Sequence, residues 1–125
     1  MTSFDCGLGG ATFAALTAAL ALATGAAAAV SLSVSPAIAA RGGIVYIRGN
    51  AGACPRGDTV LVLSRAFSRI HTFAGVPVVF AKVGAGGRFH TTARIAERIR
   101  IGRYRITARC GGGNLGVLVW FAVGR

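Results

Sequence analysis

The stretch that decides the fold is Arg103-Tyr-Arg-Ile-Thr-Ala-Arg-Cys110, in which polar and apolar side chains alternate residue by residue. Successive side chains of an extended strand point to opposite faces, whereas a helix repeats its apolar positions every three to four residues. The stretch therefore predicts a β-strand with one apolar and one polar face. The set expected in the core is Tyr104, Ile106, Ala108 and Cys110, and the stripe expected to face water is Arg103, Arg105, Thr107 and Arg109.

The same period of two continues outward on both sides, in short runs separated by Gly, Pro, Asn and Asp. Such runs with turn residues between them are typical of a sandwich. The pattern predicts an all-β domain of seven strands, at residues 30–35, 44–49, 59–64, 78–83, 88–95, 103–110 and 116–123. Gly86-Gly87 predicts a tight hairpin turn, because glycine reaches the positive φ that such turns need.

Charge is distributed very unevenly along the 125 residues. All 14 Lys and Arg lie from Arg41 onward, and 13 of them are Arg. The whole chain carries a net charge of +11. Residues 41–125, which we call the body, carry +12, because the negative charge of Asp5 lies before them. A body with this positive charge attracts polyanions. A GC-rich genome also favours arginine codons and is an alternative explanation of the arginine content.

The N-terminal segment differs from the body in composition. Residues 7–34 contain no charged side chain, and residues 11–24 are apolar with strong helical propensity. We interpret residues 1–28 as a signal peptide with cleavage after Ala26-Ala-Ala28, which leaves a domain of residues 29–125. The alternative is an uncleaved transmembrane anchor, favoured by Asp5 where a signal peptide has Lys or Arg, and only then would the protein associate with a membrane.

Three cysteines bear on the compartment. Cys6 precedes the apolar helix and is removed with a signal peptide, which leaves Cys54 and Cys110 in the body. An even pair in an exported protein predicts a disulfide. We therefore expect a secreted or cell-surface protein with one Cys54–Cys110 bridge.

Several short motifs together resemble the small exported immunoglobulin-like domains of actinobacteria. The motifs are Ser33-Val-Ser-Pro36, Arg41-Gly-Gly-Ile-Val-Tyr-Ile-Arg-Gly49, Cys54-Pro-Arg-Gly-Asp-Thr-Val60, Gly84-Ala-Gly-Gly-Arg-Phe89 and Gly102-Arg-Tyr-Arg-Ile-Thr107. The resemblance implies an immunoglobulin-like seven-strand sandwich in a secreted or surface setting, without an assigned activity. Unlike antibody domains, the chain has no tryptophan near its middle strands and no tyrosine two residues before the second cysteine.

The topology that this resemblance implies places the two cysteines and the glycine-rich segments 50–57, 84–87 and 111–114 at one end of the sandwich. At the other end it collects arginines that we predict as a polyanion-binding site, with His71 and with Phe67 and Phe73 exposed among them. The predicted site is Arg65, Arg69, Arg98, Arg100 and Arg103. The expected partner is an anionic cell-wall polymer or another polyanion. The alternative function is a carrier that holds a small apolar ligand between the glycine-rich loops.

Other chemistry finds little support in the sequence. Asp58 and Glu97 are the only acids of the body, too few and too far apart in the sandwich for paired-carboxylate catalysis, and no nucleophile motif such as G-x-S-x-G is present. Gly111-Gly-Gly-Asn-Leu-Gly116 precedes a strand rather than the helix that a dinucleotide site needs. His71 and His90 fit no metal-ligand spacing, and His90 should face solvent. We expect no enzyme activity, no cofactor and no specific nucleic acid; no pattern indicates an oligomeric state.

Overall fold

The computed structural model describes residues 29–125, so the predicted signal peptide or anchor lies outside the described residues. The described part is all-β and forms two sheets. Its strands are β1 Ser31–Ser35, β2 Ile38–Ala40, β3 Ile44–Asn50, β4 Thr59–Leu63, β5 Thr72–Phe73, β6 Val76–Lys82, β7 Arg88–Arg94, β8 Gly102–Cys110 and β9 Gly113–Gly124. Within residues 29–125 no helix is long and apolar enough to cross a membrane.

The two sheets differ in size. The large sheet has the strand order β2-β9-β8-β4-β6-β5, and the small sheet has the order β1-β3-β7. The seven predicted strands are present with shifted ends, and the short strands β2 and β5 are additional. Two- and three-residue strands contain too few alternating positions to be recognised from sequence.

The predicted hairpin at Gly86-Gly87 is wrong. β6 pairs with β4 in the large sheet, whereas β7 pairs with β3 in the small sheet. The connection contains the short 3₁₀ turn Ala85–Gly87, which carries the chain from one sheet to the other. Gly86 and Gly87 do adopt φ values of +70° and +83°. The positive φ values that we predicted are therefore present, but the turn does not join two paired strands.

The core lies between the sheets and follows the predicted alternation. Val45 and Ile47 of the small sheet meet Val60, Val62 and Ile106 of the large sheet, and each is at most 1% exposed. The polar neighbours of the alternation point outward, among them the exposed His90. Period-two alternation therefore identified the buried face of these strands.

Phe67 contradicts its predicted exposure, because it is only 1% exposed. It forms an isolated antiparallel bridge with Ile95, next to β7. Ser68 N donates to Arg94 O at 2.9 Å, and Ala96 N donates to Ala66 O at 2.9 Å. The chain after β4 thus crosses to the small sheet and places Phe67 in the core. Phe73 is 36% exposed, as expected.

The predicted disulfide is confirmed. Cys54 and Cys110 are bonded, with Cα atoms 6.0 Å apart and 56 positions apart in sequence. The glycine-rich segments gather at the same end: Ala51 N donates to Gly87 O at 2.7 Å, and Gly111 N donates to Thr59 O at 3.2 Å. The bridge therefore ties the β3–β4 connection to the end of β8.

Candidate polyanion-binding surface

The outward face of the large sheet combines arginines with exposed apolar side chains. Arg105 lies opposite Trp120 of β9, and Arg109 lies opposite Leu61 of β4, which in turn lies opposite Phe80 of β6. Residues directly opposite each other in a sheet share a face. The predicted polar stripe on β8 is therefore flanked by rings and aliphatic groups; Trp120 is 48% and Phe80 is 47% exposed.

A groove opens where β4 leaves its neighbour β8. The β4–β8 ladder runs from Val60↔Cys110 to Leu63↔Thr107 and stops there, while β8 continues to Gly102 beside β9. We call the resulting depression the edge groove; its volume is about 340 Å³. It is lined by Leu63, Ser64, Arg65, Val76, Arg103, Tyr104, Arg105, Thr107 and Trp120.

The backbone of β8 also faces the edge groove. Gly111 N donates to Thr59 O, and the same register makes Leu61↔Arg109 and Leu63↔Thr107 the hydrogen-bonded pairs of the antiparallel ladder. Because every second residue of a strand directs its N–H and C=O to the same neighbour, Arg105 and Arg103 direct theirs to the side where β4 has ended. Each of these two arginines thus combines a guanidinium with a backbone donor at the groove.

Two arginines of β8 stack on aromatic rings. The guanidinium carbon of Arg103 lies 4.8 Å from the centroid of the Trp120 ring, and that of Arg109 lies 5.1 Å from the centroid of the Phe73 ring. Such stacking holds an arginine through the ring quadrupole without neutralising its charge. Arg109 also donates from Nη2 to Gly112 O, while its buried Nε has no hydrogen-bond partner.

The positive charge of the groove is not offset by nearby acids. The two acidic side chains among residues 29–125, Asp58 and Glu97, are both exposed, and neither lines the edge groove. Other arginine hydrogen bonds in this part of the chain also end on neutral carbonyls: Arg41 Nη1 donates to Ile99 O at 3.4 Å, and Arg94 Nη1 donates to Gly42 O at 2.8 Å. An anionic ligand would therefore meet guanidinium groups without a competing carboxylate.

The five arginines predicted as one site are only partly brought together. Arg65 and Arg103 line the edge groove. Arg69 donates from Nη2 to Gly75 O at 3.4 Å, in the turn between β5 and β6, and the exposed Arg98 and Arg100 lie in the β7–β8 connection. That connection is joined to the groove by Tyr104, whose hydroxyl donates to Arg100 O at 2.7 Å.

Two groove residues were missing from the predicted site. Arg105 was predicted to face outward on the same strand as Arg103. The alternation was therefore the signal that could have added it to the predicted site. Trp120 could be placed only with the β8–β9 register, because its strand contains a bulge between Asn114 and Leu118. The register sets which residue of β9 lies opposite Arg105, and the local sequence does not specify it.

A second groove, larger and more open than the edge groove, has a volume of about 610 Å³ and lies on the outward face of the small sheet. Arg48, Arg88 and His90 line it together with Ser31 and Ser33. Neither this groove nor the edge groove is lined by the disulfide or by residues 111–114. Of the glycine-rich segments only Asn50 lines either groove, and the cleft that the carrier alternative needs stays a prediction.

One cluster near the disulfide has donor atoms at metal-binding distances. Ligand atoms of Cys54, Asp58 and Cys110 lie within 4.8 Å of one another. Both sulfurs are bonded to each other, so neither offers the thiolate that a metal would bind. A single exposed carboxylate remains.

Comparison with known proteins finds distant similarity of fold. No family model and no curated protein matches the chain. Macromomycin superposes with a TM-score of 0.49 at 11% identity, over 75% of this chain and 96% of that one. The alkylpurine DNA glycosylase AlkC of Pseudomonas fluorescens, solved with DNA that contains an abasic-site analogue, gives 0.48 at 18% identity over 78% of this chain. A β-glucosidase from Listeria innocua gives 0.42 at 14% identity over 77%. The chain spans 31% of the glycosylase and 16% of the glucosidase, and likeness at this level says nothing about activity.

Proposed function

We propose that this protein is a non-enzymatic, secreted or cell-envelope module with an immunoglobulin-like sandwich, which binds anionic polymers through the edge groove. The observation that carries the proposal is the convergence of Arg65, Arg103 and Arg105 on one groove that no carboxylate lines. The net charge of the body supports it, since neutralising phosphates releases their counterions and makes binding favourable. The disulfide supports an oxidising compartment.

The groove suits an extended polymer better than a compact substrate. It is open to solvent along the outward face of the large sheet, and its polar groups include hydrogen-bond donors from the guanidinium groups and from the backbone of β8. Donors of this kind bind phosphate, sulfate and carboxylate oxygens. The described residues that line it include no histidine, cysteine or carboxylate that could act as a base or nucleophile.

The test is the salt dependence of binding to long-chain inorganic polyphosphate, measured with the full chain by competition against a labelled polyanion. Neutralising about three phosphates predicts a loss of affinity of roughly 20- to 40-fold between 50 and 200 mM salt. Affinity that is the same at both salt concentrations would overturn the proposal.

A matched pair of variants locates the site. R65Q/R105Q removes two charges from the edge groove, and R48Q/R88Q removes two charges from the outward face of the small sheet. We expect R65Q/R105Q to weaken binding and to reduce the salt slope by about two charges, with a much smaller effect of R48Q/R88Q. Equal effects of the two variants would mean that total charge, and not the edge groove, determines binding.

A further inference from the structure

We infer that the outward face of the large sheet binds single-stranded nucleic acid without sequence preference, by stacking bases on its exposed rings while its arginines bind the phosphates. This inference rests on the proposed function, because it names the polymer that the same cationic surface takes. It depends on a second property of that surface, the exposed aromatic rings, which a polymer without rings does not use.

The first step is the placement of rings at both ends of an arginine stripe. Trp120 lies opposite Arg105, and Phe80 lies one strand beyond the Arg109–Leu61 pair. Standard strand and residue spacings put the two rings roughly 20 Å apart across the sheet, with Arg105 and Arg109 between them. An extended strand of several nucleotides covers such a distance.

The second step is that the rings remain available although the sheet is folded. Trp120 keeps 48% and Phe80 keeps 47% of its surface exposed, and Phe73 keeps 36%. Phe80 also packs edge-on against His71, with ring centroids 5.4 Å apart, and nearly half of its surface stays exposed. Bases offer flat aromatic surfaces to such rings whatever their sequence, and stacking on them is the usual basis of sequence-tolerant binding of single strands.

The third step concerns the arginines that stack on the rings. Arg103 is held 4.8 Å from the Trp120 centroid, and Arg109 is held 5.1 Å from the Phe73 centroid. Each guanidinium lies over its ring, so each pair joins a positive charge to an aromatic surface that is still partly exposed. A nucleotide combines a planar base with a phosphate, which matches this arrangement, whereas inorganic polyphosphate matches only the charge. Duplex DNA presents phosphates but keeps its bases stacked inside, so it too would use only the charge.

The experiment measures fluorescence anisotropy with the full chain and three labelled or competing polyanions. They are a 12-nucleotide oligothymidine, an abasic deoxyribose-phosphate oligomer of the same length, and inorganic polyphosphate. The abasic oligomer keeps the phosphates and the flexibility and removes only the bases. We expect oligothymidine to bind at least fivefold more tightly than the abasic oligomer.

Two variants on the same strand provide the matched control. Trp120 and Leu118 are two residues apart on β9, point to the same face and are both 48% exposed. W120A should weaken oligothymidine binding about 5- to 150-fold and at least fivefold more than it weakens polyphosphate binding, whereas L118A should change neither by more than about twofold. W120F should restore most of the loss, because it restores a ring.

The outcomes separate the two claims. Salt-dependent binding of all three polyanions with equal affinity per phosphate would overturn the stacking inference and leave the proposed function standing. Equal losses in W120A for oligothymidine and polyphosphate would also overturn it, since the tryptophan would then act only by holding Arg103. If none of the three polyanions binds in a salt-dependent way, the proposed function itself is overturned.

Discussion

Removing the Cys54–Cys110 bridge should cost this domain a large part of its stability. The bridge closes a loop of 56 positions, and the chain-entropy relation for a loop of that length gives about 4 kcal/mol at 25 °C. A domain of this size is stable by roughly 5–15 kcal/mol. Because Cys54 is only 8% exposed, replacing it also removes some buried contact, so the relation describes most of the loss but not all of it.

The assay is urea unfolding of the full chain, with C54A/C110A compared with its parent. Both proteins carry C6A, so that no third thiol can form a mixed disulfide. We expect the free energy of unfolding to fall by about 4 kcal/mol and the slope against urea to rise, because the unfolded chain expands without the cross-link. The parent protein treated with a reductant should lose a similar amount. A loss below about 1 kcal/mol in both experiments would refute the reasoning from loop length.

Two further pairs of substitutions test the packing by the same unfolding assay. F67A should destabilise the protein by about 3–5 kcal/mol because the ring is buried between the sheets, whereas F73A on the surface should cost no more than about 1 kcal/mol; similar values for both would contradict the burial of Phe67. A Cβ at Gly49 would meet the carbonyl oxygen of Ser31 and lie 2.8 Å from Cζ of Phe89, so G49A should destabilise the protein by about 1–3 kcal/mol. A Cβ at Gly112 would have open space, so G112A should change the free energy of unfolding by no more than about 0.5 kcal/mol. A neutral G49A would show that β1 can move away from β3 without loss of stability.

Much of the fold is encoded in local pattern. The alternation of Arg103–Cys110 determined both the strand and its buried face, and the same reasoning placed Val45, Ile47, Val60 and Val62 in the core. These predictions succeed because burial of one sheet face requires apolar residues at every second position, which is visible in a few residues. The disulfide was predictable from the count of cysteines once an exported setting was assumed.

The candidate site was only partly predictable, for a physical reason. The arginines of β8 were recognised as an outward stripe, whereas the aromatic side chains beside them lie on other strands and were not connected with it. Trp120 and Phe80 reach the same face through the β8–β9 and β4–β6 registers. Register depends on which strands pair and where each begins, and a bulge in β9 shifts it.

The sequence by itself determined the fold class, the buried positions of the main strands, the cationic character of the body and the pair of cysteines that bond. Only the tertiary structure decided that β6 joins the large sheet, that Phe67 is buried and that β4 ends early enough to open a groove beside Arg103 and Arg105. The difference follows from range. Alternation and charge are properties of neighbouring residues, whereas sheet order, register and the position of a groove depend on contacts between residues far apart in the chain, which no short stretch of sequence specifies.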